Sequence, residues 1–456
     1  MAAIMIEVPE SCKHFALALR EAVEVVRRAV RPSRHGADVL RLEGVIGEAM
    51  ARVESAAVGD LLCGLDAEGD VVEFAGKTWH SLGVCPATYF TQSGPTTIER
   101  RLFRQSGVHN GPTLDVVAAR AGLVGDWTPR AAKAMAHLLQ QGTGREAEKT
   151  AQEIGRMPYS RSSFERVGHE VGRLYLDRRA EIDGELAERM PMPEGIKSVS
   201  VAIDRVAVPM EEIEIGGDKE RDRPTRVWHM AHAAALTLHD RRGRALHTVR
   251  YACMPDGKID EMDAALQADL IHVLSLRPRL QVVTLGDGAG EVRRRLDGIV
   301  DGVADSAWDV VDYWHAVEKL GAAVRSFSHG PAADELLRRW KGWLLNVSDA
   351  VQRIHGELES HAGQTPVDDA LTYLDNHGHQ MDYAAARAKG LPIGSGNVEA
   401  SCKSVVRMRM VRGGAKWRHE PGDRVLHLRA LAQSDRWDDG IIATLKPLRK
   451  RIQCAA

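Results

Sequence analysis

Three acidic residues, far apart in the chain, have the surroundings of metal ligands. Asp204 ends the apolar run VSVAI, Asp287 ends the apolar run LQVVTL, and Glu399 follows the turn LPIGSGN. Carboxylate oxygens are the hard ligands that Mg²⁺ requires, and two such ions roughly 3.5–4 Å apart can support in-line phosphoryl transfer. The three acids therefore predict a site for two Mg²⁺ ions, which Mn²⁺ can replace, provided that the fold brings them together.

The stretch around Glu399 predicts the start of a helix. Pro392 and the neighbouring glycines interrupt any preceding element, and Ser395 or Asn397 is suited to cap a helix that begins near Val398. Glu399 then lies in the first helical turn, where the helix dipole favours a negative charge.

A run of positive residues follows Glu399 at helical or near-helical spacing, interleaved with valines and methionines. Its members are Lys403, Arg407, Arg409, Arg412, Lys416 and Arg418. The pattern predicts a helix with one apolar face and one cationic face, and a cationic face is suited to contact DNA phosphates. The alternative is an ordinary amphipathic helix whose charged side is only solvated.

Each aspartate also has a simpler explanation. An Asp after a strand is commonly a cap or turn residue. Asp287 lies in GDGAG, which is similar to the G-x-G-x-x-G fingerprint of dinucleotide-binding proteins, with Asp305 or Asp309 about twenty residues further on. The third glycine of that fingerprint would, however, fall on Glu291.

Asp312 and His315 form a D-x-x-H motif just after the last strand-like run of this region. At that spacing both side chains can face one cleft, where the imidazole can supply a hydrogen bond or a positive charge to a phosphate. A single histidine is more often structural, and that alternative stays open.

The composition restricts the class of protein. At 456 residues the chain is long enough for roughly two to four domains, and its net charge of −2 confines any nucleic-acid surface to a local patch. The six cysteines are scattered and form no C-x-x-C pair, which argues against a disulfide framework or a zinc ribbon. Since no apolar run reaches about eighteen residues, a cytoplasmic protein without a membrane segment is expected.

The segment 197–315 must position the two aspartates, and its pattern alternates between extended and helical. Three strand-like runs come first, followed by a helix over 260–276, a buried strand, a short helix over 290–298 and a fifth strand. Hairpin-linked strands followed by β-α-β units predict a mixed five-stranded sheet with helices on its faces. The first strand is apolar at nearly every position, so it is predicted to be central.

Two helices between residues 143 and 175 are joined by a short turn that contains glycine, which is the layout of a helix-turn-helix. Arg161 and Arg166 lie on the second of these helices, where they are candidates for DNA contacts. A solvated helical pair without DNA-binding activity is the alternative.

Changes of pattern along the chain predict seven segments. Helical spacing over 13–31 and 39–57 gives way to alternation over 70–104, and a polar helical stretch later separates the fifth strand from Glu399. The segments are a helical segment 1–60, a small β-rich unit 61–110, a helical region 111–195, a first core part 196–315, a helical insertion 316–390, a second core part 391–435 and a basic tail 436–456.

Taken together, these motifs resemble those of the DDE transposases of bacterial insertion sequences, most closely the Kra-type family and more distantly the Mutator-like group. The resemblance spans residues 95–437 and depends on the order of the motifs. The motifs are ERRLFR, LVGDWTPRAAKAMAHLL, MPYSRSSFERV, VAIDRVAVPM, TLGDGA, the D-x-x-H motif and LPIGSGNVEASCK followed by RMRMVRGGAKW.

The resemblance implies an α/β catalytic core with a ribonuclease-H-like sheet and a helical insertion, preceded by a mostly helical DNA-binding region. It implies that Asp204, Asp287 and Glu399 are catalytic acids that bind metal. His315 is then a catalytic residue that assists near the scissile phosphate, and Asp312 is a further residue of the cleft.

One residue departs from the family pattern. The family usually has Gly after the first catalytic Asp, whereas this chain has Arg205. Since side chains alternate along a strand, the Arg205 side chain is predicted to lie on the far face from the acid.

A transposase of this kind is expected to cut DNA at the terminal inverted repeats of its element and to join the freed 3′-hydroxyls to target DNA. The cationic face would contact phosphates, and the 143–175 helices would recognise the repeats. Because two ends are held at once, a homodimer or larger assembly associated with the nucleoid is expected. The alternatives are a transposase-derived DNA-binding protein without catalysis and a ribonuclease-H-like nuclease that cuts without joining.

Overall fold

The structure is a computed structural model and describes residues 7–29, 38–214, 223–255 and 257–454. The chain forms two compact units, of which the first comprises Met1–Arg178 with Asp438–Ala456 and the second comprises Arg179–Trp437. The predicted helical region 111–195 is therefore divided between the units. The end of the helix predicted over 13–31 lies outside the described residues.

The described residues form groups of helices and strands. The helices are α1 (Lys13–Ala29), α2 (Val39–Cys63), α3 (Val116–Ala121), α4 (Pro129–Gln141), α5 (Gly144–Glu153), α6 (Arg161–Leu176), α7 (Arg179–Glu188), α8 (Ile259–Leu276), α9 (Gly290–Val300), α10 (Tyr313–Phe327), α11 (Gly330–Asn346), α12 (Ala350–Glu359), α13 (Thr365–His377), α14 (Tyr383–Ala388), α15 (Gly396–Ser401), α16 (Met408–Met410), α17 (His419–Gln433) and α18 (Trp437–Leu445). The strands are β1 (Val71–Phe74), β2 (Lys77–Thr91), β3 (Gly94–Gln105), β4 (Thr113–Asp115), β5 (Ser198–Glu214), β6 (Arg223–His239), β7 (Ala245–Cys253), β8 (Gln281–Gly286), β9 (Ala307–Val311) and β10 (Gln453–Cys454).

The first unit contains an antiparallel sheet in the order β10-β1-β2-β3-β4. β1, β2 and β3 lie within the predicted β-rich unit 61–110, and β4 and β10 extend the sheet beyond that range. Its edge strand β10 comes from the end of the chain, and Ile452 is buried in the core beneath it beside Val72 and Phe103. The end of the chain is therefore part of this unit and not the separate basic tail that we predicted.

The second unit contains a mixed sheet in the order β7-β6-β5-β8-β9, which confirms the prediction of five strands with the first one central. β5 pairs with β6 in antiparallel fashion and with β8 in parallel, and β8 is parallel to β9. Parallel neighbours require crossover connections. α8 lies in the connection that leads to β8, and α9 lies in the connection from β8 to β9. The carboxyl ends of β8 and β9 consequently lie level with the middle of β5, which continues past them in its hairpin with β6.

β5 separates two hydrophobic cores because its side chains alternate between the faces of the sheet. Val199, Val201 and Ile203 face the core that α8 and α9 complete. Ala202 faces the opposite core, which is built from α10 to α14. Burial of each large aliphatic side chain contributes about 1.5–3 kcal/mol, so a one-residue slip of this strand would be strongly unfavourable.

The insertion between β9 and α15 is helical, as predicted. Trp340 is fully buried at its centre and donates from Nε1 to Glu357 Oε2 at 2.7 Å. The partly buried Trp343 ring lies against the guanidinium of Arg339. Both tryptophans thus serve packing. Within the described ranges, no helix combines the length and the apolarity that a membrane span needs.

Candidate active site

Asp204, Asp287 and Asp312 lie level with one another on three adjacent parallel strands. Asp287 and Asp312 directly follow β8 and β9, as predicted. Asp204 does not end its strand as predicted, because β5 continues to Glu214 in its hairpin with β6. Ala202 pairs with Leu285 in the β5–β8 register, and the same offset places Asp204 level with Asp287. Gly286 pairs with Val311 in the β8–β9 register, which places Asp287 level with Asp312. The sheet therefore brings residues that are distant in sequence to one row, at the level where β8 and β9 end.

Glu399 approaches this row from α15. Ser395 occupies the N-cap position of that helix, as predicted, but its hydroxyl makes no capping bond. Ser395 Oγ instead donates to Glu399 Oε1 at 3.3 Å. This contact holds the exposed carboxylate back toward the turn before α15.

Asp312 ties the turn before α15 to the start of α10. Its Oδ1 accepts from the backbone N–H groups of Trp314 at 2.7 Å and His315 at 2.9 Å, which caps α10. Its Oδ2 accepts from the backbone N–H of Ser395. The Tyr313 N–H also donates to the carbonyl oxygen of Ile393 at 3.0 Å. This fully buried carboxylate therefore fixes the position from which Glu399 projects.

The closest group of candidate ligands comprises Asp312, His315 and Glu399, whose ligand atoms all lie within 4.8 Å of one another. Nδ1 of His315 lies 3.3 Å from Oδ1 of Asp312. The ion pair with Asp312 raises the pKa of His315 to about 9 against the effect of burial, and Glu399 and Asp204 add to this shift. Burial raises the pKa of Asp312, but the hydrogen bonds from His315 and Ser395 outweigh it and hold that pKa at about 2.

Asp204 is half-buried beside the same histidine and is also in contact with α15. Cys402 follows α15, and its Sγ donates to Asp204 Oδ2 at 3.4 Å. Asp204 Oδ1 accepts from the Arg205 N–H at 2.7 Å. Burial first, and then the Asp204 charge, raise the pKa of the Cys402 thiol well above its usual range. Cys402 is therefore a neutral thiol that can donate a hydrogen bond to Asp204.

A residue of the helical insertion holds the backbone of Asp287 in place. Asp287 Oδ1 accepts from the Ala289 N–H at 2.8 Å, and its carbonyl oxygen accepts from the Tyr373 hydroxyl at 3.3 Å. Gly288 has φ +90°, and a Cβ at this position would lie 3.1 Å from the His377 ring. The residue after Asp287 must therefore have no side chain, because α13 covers it closely.

Of the three predicted metal ligands, Glu399 alone belongs to the group formed with Asp312 and His315. Among the described residues, Asp204 and Asp287 lie outside the group whose ligand atoms fall within 4.8 Å. They stand in the same row as Asp312, and Asp204 is near enough to His315 to shift its pKa. The site thus consists of His315 with Asp312 and Glu399 close to it, Asp204 near enough to act on its charge, and Asp287 in the same row of strands.

The dinucleotide alternative for Asp287 receives no support from its surroundings. Asp309, the candidate ribose ligand, is in an ion pair with Arg293 and accepts a hydrogen bond from Gln380. Two of the strands, β6 and β7, are antiparallel, whereas the dinucleotide-binding arrangement is mostly parallel.

The prediction of one continuous amphipathic helix after Glu399 is wrong. A π-helical turn spans Cys402–Arg407, and the helix ends at Met410. Trp417 then lies along β5, with its backbone N–H donating to the carbonyl oxygen of Pro209 at 3.0 Å. Because the chain must reach this strand, the helix cannot continue through residue 418.

The side chains of the predicted cationic face consequently have different environments. Lys403 and Arg407 are exposed, as predicted. Arg409 is only 5% exposed, and its guanidinium lies over the Trp417 ring at 4.8 Å from the centroid. The prediction that Arg409 contacts DNA is therefore wrong for this conformation. Arg412 and Lys416 lie in the irregular segment after the helix.

Arg205 points away from the acids, as the alternation of the strand predicted. Its Nη1 lies 3.0 Å from Glu291 Oε2 on α9, which packs on the opposite face of the sheet from α10. His232, the cross-strand partner of Arg205, also approaches Glu291, at 3.7 Å. Arg205 therefore leaves the Asp204 carboxylate unobstructed.

The two helices predicted between 143 and 175 are present as α5 and α6 in the first unit. Thr143 and Glu146 form a reciprocal capping box at the start of α5. Arg161 and Arg166 are exposed on α6, and Arg161 Nε pairs with Glu165 Oε1 at 2.9 Å. The connection covers residues 154–160, which is longer than the three or four residues typical of a helix-turn-helix.

Two residues of the site were not found from the sequence. Cys402 lies three positions after Glu399, a spacing that places side chains on one face of a helix, so the sequence contained a signal for it. Tyr373 had no such signal, because only the packing of the insertion brings it to Asp287.

Comparisons of the chain with family models, curated proteins and solved structures found no match.

Proposed function

We propose that this protein is a DDE-type transposase of an insertion sequence, which cleaves DNA strands at the element ends and joins the 3′-hydroxyls to target DNA. The observation that carries the proposal is the row of Asp204, Asp287 and Asp312 at the level where β8 and β9 end, with Glu399 and His315 beside Asp312. Such a concentration of carboxylates is unfavourable unless a cation compensates it.

The arrangement of the sheet supports a ribonuclease-H-like catalytic unit. Three hairpin-linked antiparallel strands are followed by two parallel strands, with helices connecting them. The first acid is on the central strand, the second follows the next parallel strand, and a helical insertion precedes the third. This is the order in which the motifs of the DDE family occur.

The donor set is suited to the implied magnesium ions. Asp204, Asp287 and Glu399 would hold the metal through hard carboxylate oxygens. When bound, Mg²⁺ supplies activation of a water or 3′-hydroxyl and stabilisation of the leaving oxygen. Mn²⁺ accepts the same oxygen ligands and would replace it.

His315 and Asp312 would act on the phosphate. The ion pair with Asp312 keeps the imidazole cationic at neutral pH and fixes its orientation. A cation held in this way can stabilise negative charge that develops on the scissile phosphate without reorganising during the reaction. Asp312 is then a positioning residue, because its lone pairs are already used by Trp314, His315 and Ser395.

Binding of DNA would use the exposed cations. Lys403 and Arg407 lie on the helical turns that follow Glu399. The positive charge of Arg407 acts on the nearby Cys402 thiol, where it opposes the rise in pKa caused by burial. They would contact phosphates next to the cleavage site. Arg161 and Arg166 on α6 would contribute to recognition of the terminal repeats, and holding two ends would require a dimer or larger assembly.

A nicking and joining assay tests the proposal. The substrate is supercoiled DNA that carries the sequences flanking the gene, and we expect Mg²⁺-dependent nicks and joined products from the wild type. Asp287→Asn should abolish both. Asp301→Asn, which changes an exposed acid at the end of α9, is the matched control and should retain both. Binding without nicking would indicate a non-catalytic DNA-binding protein, and nicking without joining would indicate a nuclease.

A further inference from the structure

Trp314 is a large aromatic side chain left in solvent next to the acids. It lies between Asp312 and His315 in the first turn of α10, and its side chain is 60% exposed. Exposure of a tryptophan forgoes a favourable burial energy, so an exposed indole beside a reaction site is a candidate for ligand contact.

The indole is held in place by its neighbours. Its backbone N–H donates to Asp312 Oδ1, and its ring lies 5.1 Å from the Tyr313 ring at an interplanar angle of 74°. Tyr313 is itself packed edge-on against the buried Tyr383 at 5.4 Å. On another side, a Cβ at Gly394 would lie 3.5 Å from Trp314 Cδ1 and 3.6 Å from Asp312 Oδ2. The ring is thus positioned before any ligand arrives.

The charges around the ring restrict what it can bind. Asp312 and Glu399 lie close to its base, and they would repel a phosphate group unless a cation intervenes. A nucleobase is neutral and has a π face, and base–aromatic stacking does not depend on the base's identity. The adjacent His315 and the implied metal ions would hold the phosphate at the acids, whereas the indole itself carries no charge and offers only an apolar π face. The ring of Trp314 is therefore suited to a base and not to the phosphate.

We propose that Trp314 is a stacking platform for an unpaired nucleobase of the DNA strand whose phosphate lies at the carboxylates. This inference rests on the proposed function and identifies which feature of the DNA the site recognises. The indole would contact the DNA where the two strands are separated, because a base within an intact double helix has no free face for stacking.

The chain offers a matched control in Trp228. Its side chain is 49% exposed, and the Arg226 guanidinium lies 4.8 Å from its ring. Residue alternation along β6 puts Trp228 on the same face as His232, which approaches Glu291 of α9, and so opposite the acids. Trp228→Ala removes an exposed tryptophan of the same unit without altering the candidate site.

The experiment uses the full chain with Ca²⁺ in place of Mg²⁺, so that a cation occupies the carboxylate oxygens and no cleavage is needed. The probe is a DNA duplex with an unpaired 3′ overhang that contains 2-aminopurine, whose fluorescence is quenched by stacking. We expect quenching by the wild type and by Trp228→Ala. Trp314→Ala should lose most of the quenching and bind the overhang roughly ten- to a hundredfold more weakly. Trp314→Phe should give an intermediate result, and a fully paired duplex should show no difference among the variants. Thermal melts establish that each variant is folded.

The outcomes separate this inference from the proposed function. Quenching by Trp314→Ala equal to that of the wild type would overturn the stacking role alone, as would an equal loss in Trp228→Ala. If the wild type binds neither DNA probe, the proposed function is overturned, and the stacking role with it.

Discussion

Asp204 and Arg205 direct opposite charges to opposite faces of one strand. The carboxylate lies beside His315, whereas the guanidinium pairs with Glu291 on the face covered by α9. We expect Arg205→Ala to leave the nicking rate within about twofold of the wild type. A partly exposed ion pair contributes at most about 1 kcal/mol, so the free energy of unfolding should fall by no more than that. Single-turnover nicking and urea denaturation measure the two effects.

Glu291→Gln removes the other partner of this pair and is the matched control. It should give the same small loss of stability and no loss of nicking. A large fall in nicking for Arg205→Ala alone would show that Arg205 acts at the acids.

Arg407 and Arg409 are two positions apart but have different surroundings. Arg407 is exposed, whereas Arg409 is buried against Trp417. Arg409→Ala should lower the free energy of unfolding by about 1–2 kcal/mol, because it removes a desolvated cation–π contact and the packing of the side-chain stem. Arg407→Ala should leave stability unchanged and weaken DNA binding.

Titration of DNA binding against salt distinguishes these roles. Loss of one phosphate contact should reduce the slope of log K against log salt by about 1, and only Arg407→Ala should show it. The same reduction in Arg409→Ala, at unchanged stability, would contradict the buried role of Arg409.

At the scale of the element, Asp312 joins α10 to the turn that begins α15. The hydrogen bonds from His315 and Ser395 hold its pKa at about 2, below the ordinary value near 3.8 despite burial. A depressed pKa stabilises the folded state above the unfolded pKa, and that stabilisation disappears as the pH falls through the folded value. Its size is about 2 kcal/mol, since each pKa unit corresponds to about 1.4 kcal/mol.

Asp312→Asn tests this contribution. The amide retains an acceptor for the α10 N–H groups but loses the charge, so we expect the free energy of unfolding to fall by about 1–3 kcal/mol at neutral pH. The difference from the wild type should shrink as the pH falls from 4 toward 2. Guanidinium denaturation across this range measures it, and a gap that stays constant would contradict the assignment to Asp312.

At the scale of the whole molecule, the first unit is completed by the end of the chain. β10 pairs with β1, Ile452 fills the core beneath, and Arg120 Nη2 donates to the Ile452 carbonyl oxygen at 2.8 Å. Truncation after Arg451 removes all three contributions and leaves α18 in place. We expect the first unit to lose about 2–5 kcal/mol of stability, as for loss of a large core side chain.

Hydrogen exchange monitors this truncation within one sample. Amides of β1 and β2 should exchange faster, while those of β5 and β8 in the second unit should exchange as before and serve as the internal control. Unchanged protection in β1 would show that the end of the chain contributes nothing to this unit.

The sequence by itself determined the order and type of most elements, including the five strands of the second unit and the central place of β5. It also placed Asp287 and Asp312 directly after strands, but it placed Asp204 at a strand end, whereas β5 continues for ten more residues. These features follow from hydrophobic periodicity and from turn residues, which act over a few neighbouring positions. A local pattern is sufficient where the hydrogen bonds and the buried face are themselves local.

Only the tertiary structure decided which side chains meet. Packing between segments distant in the chain buries Arg409 and ends the helix at Met410. The same kind of packing brings Cys402 to Asp204 and the Tyr373 hydroxyl to the Asp287 carbonyl oxygen. Spacing in the sequence cannot specify these contacts, because the same amphipathic pattern is compatible with several partners. The choice among them is made by the close packing of the whole unit.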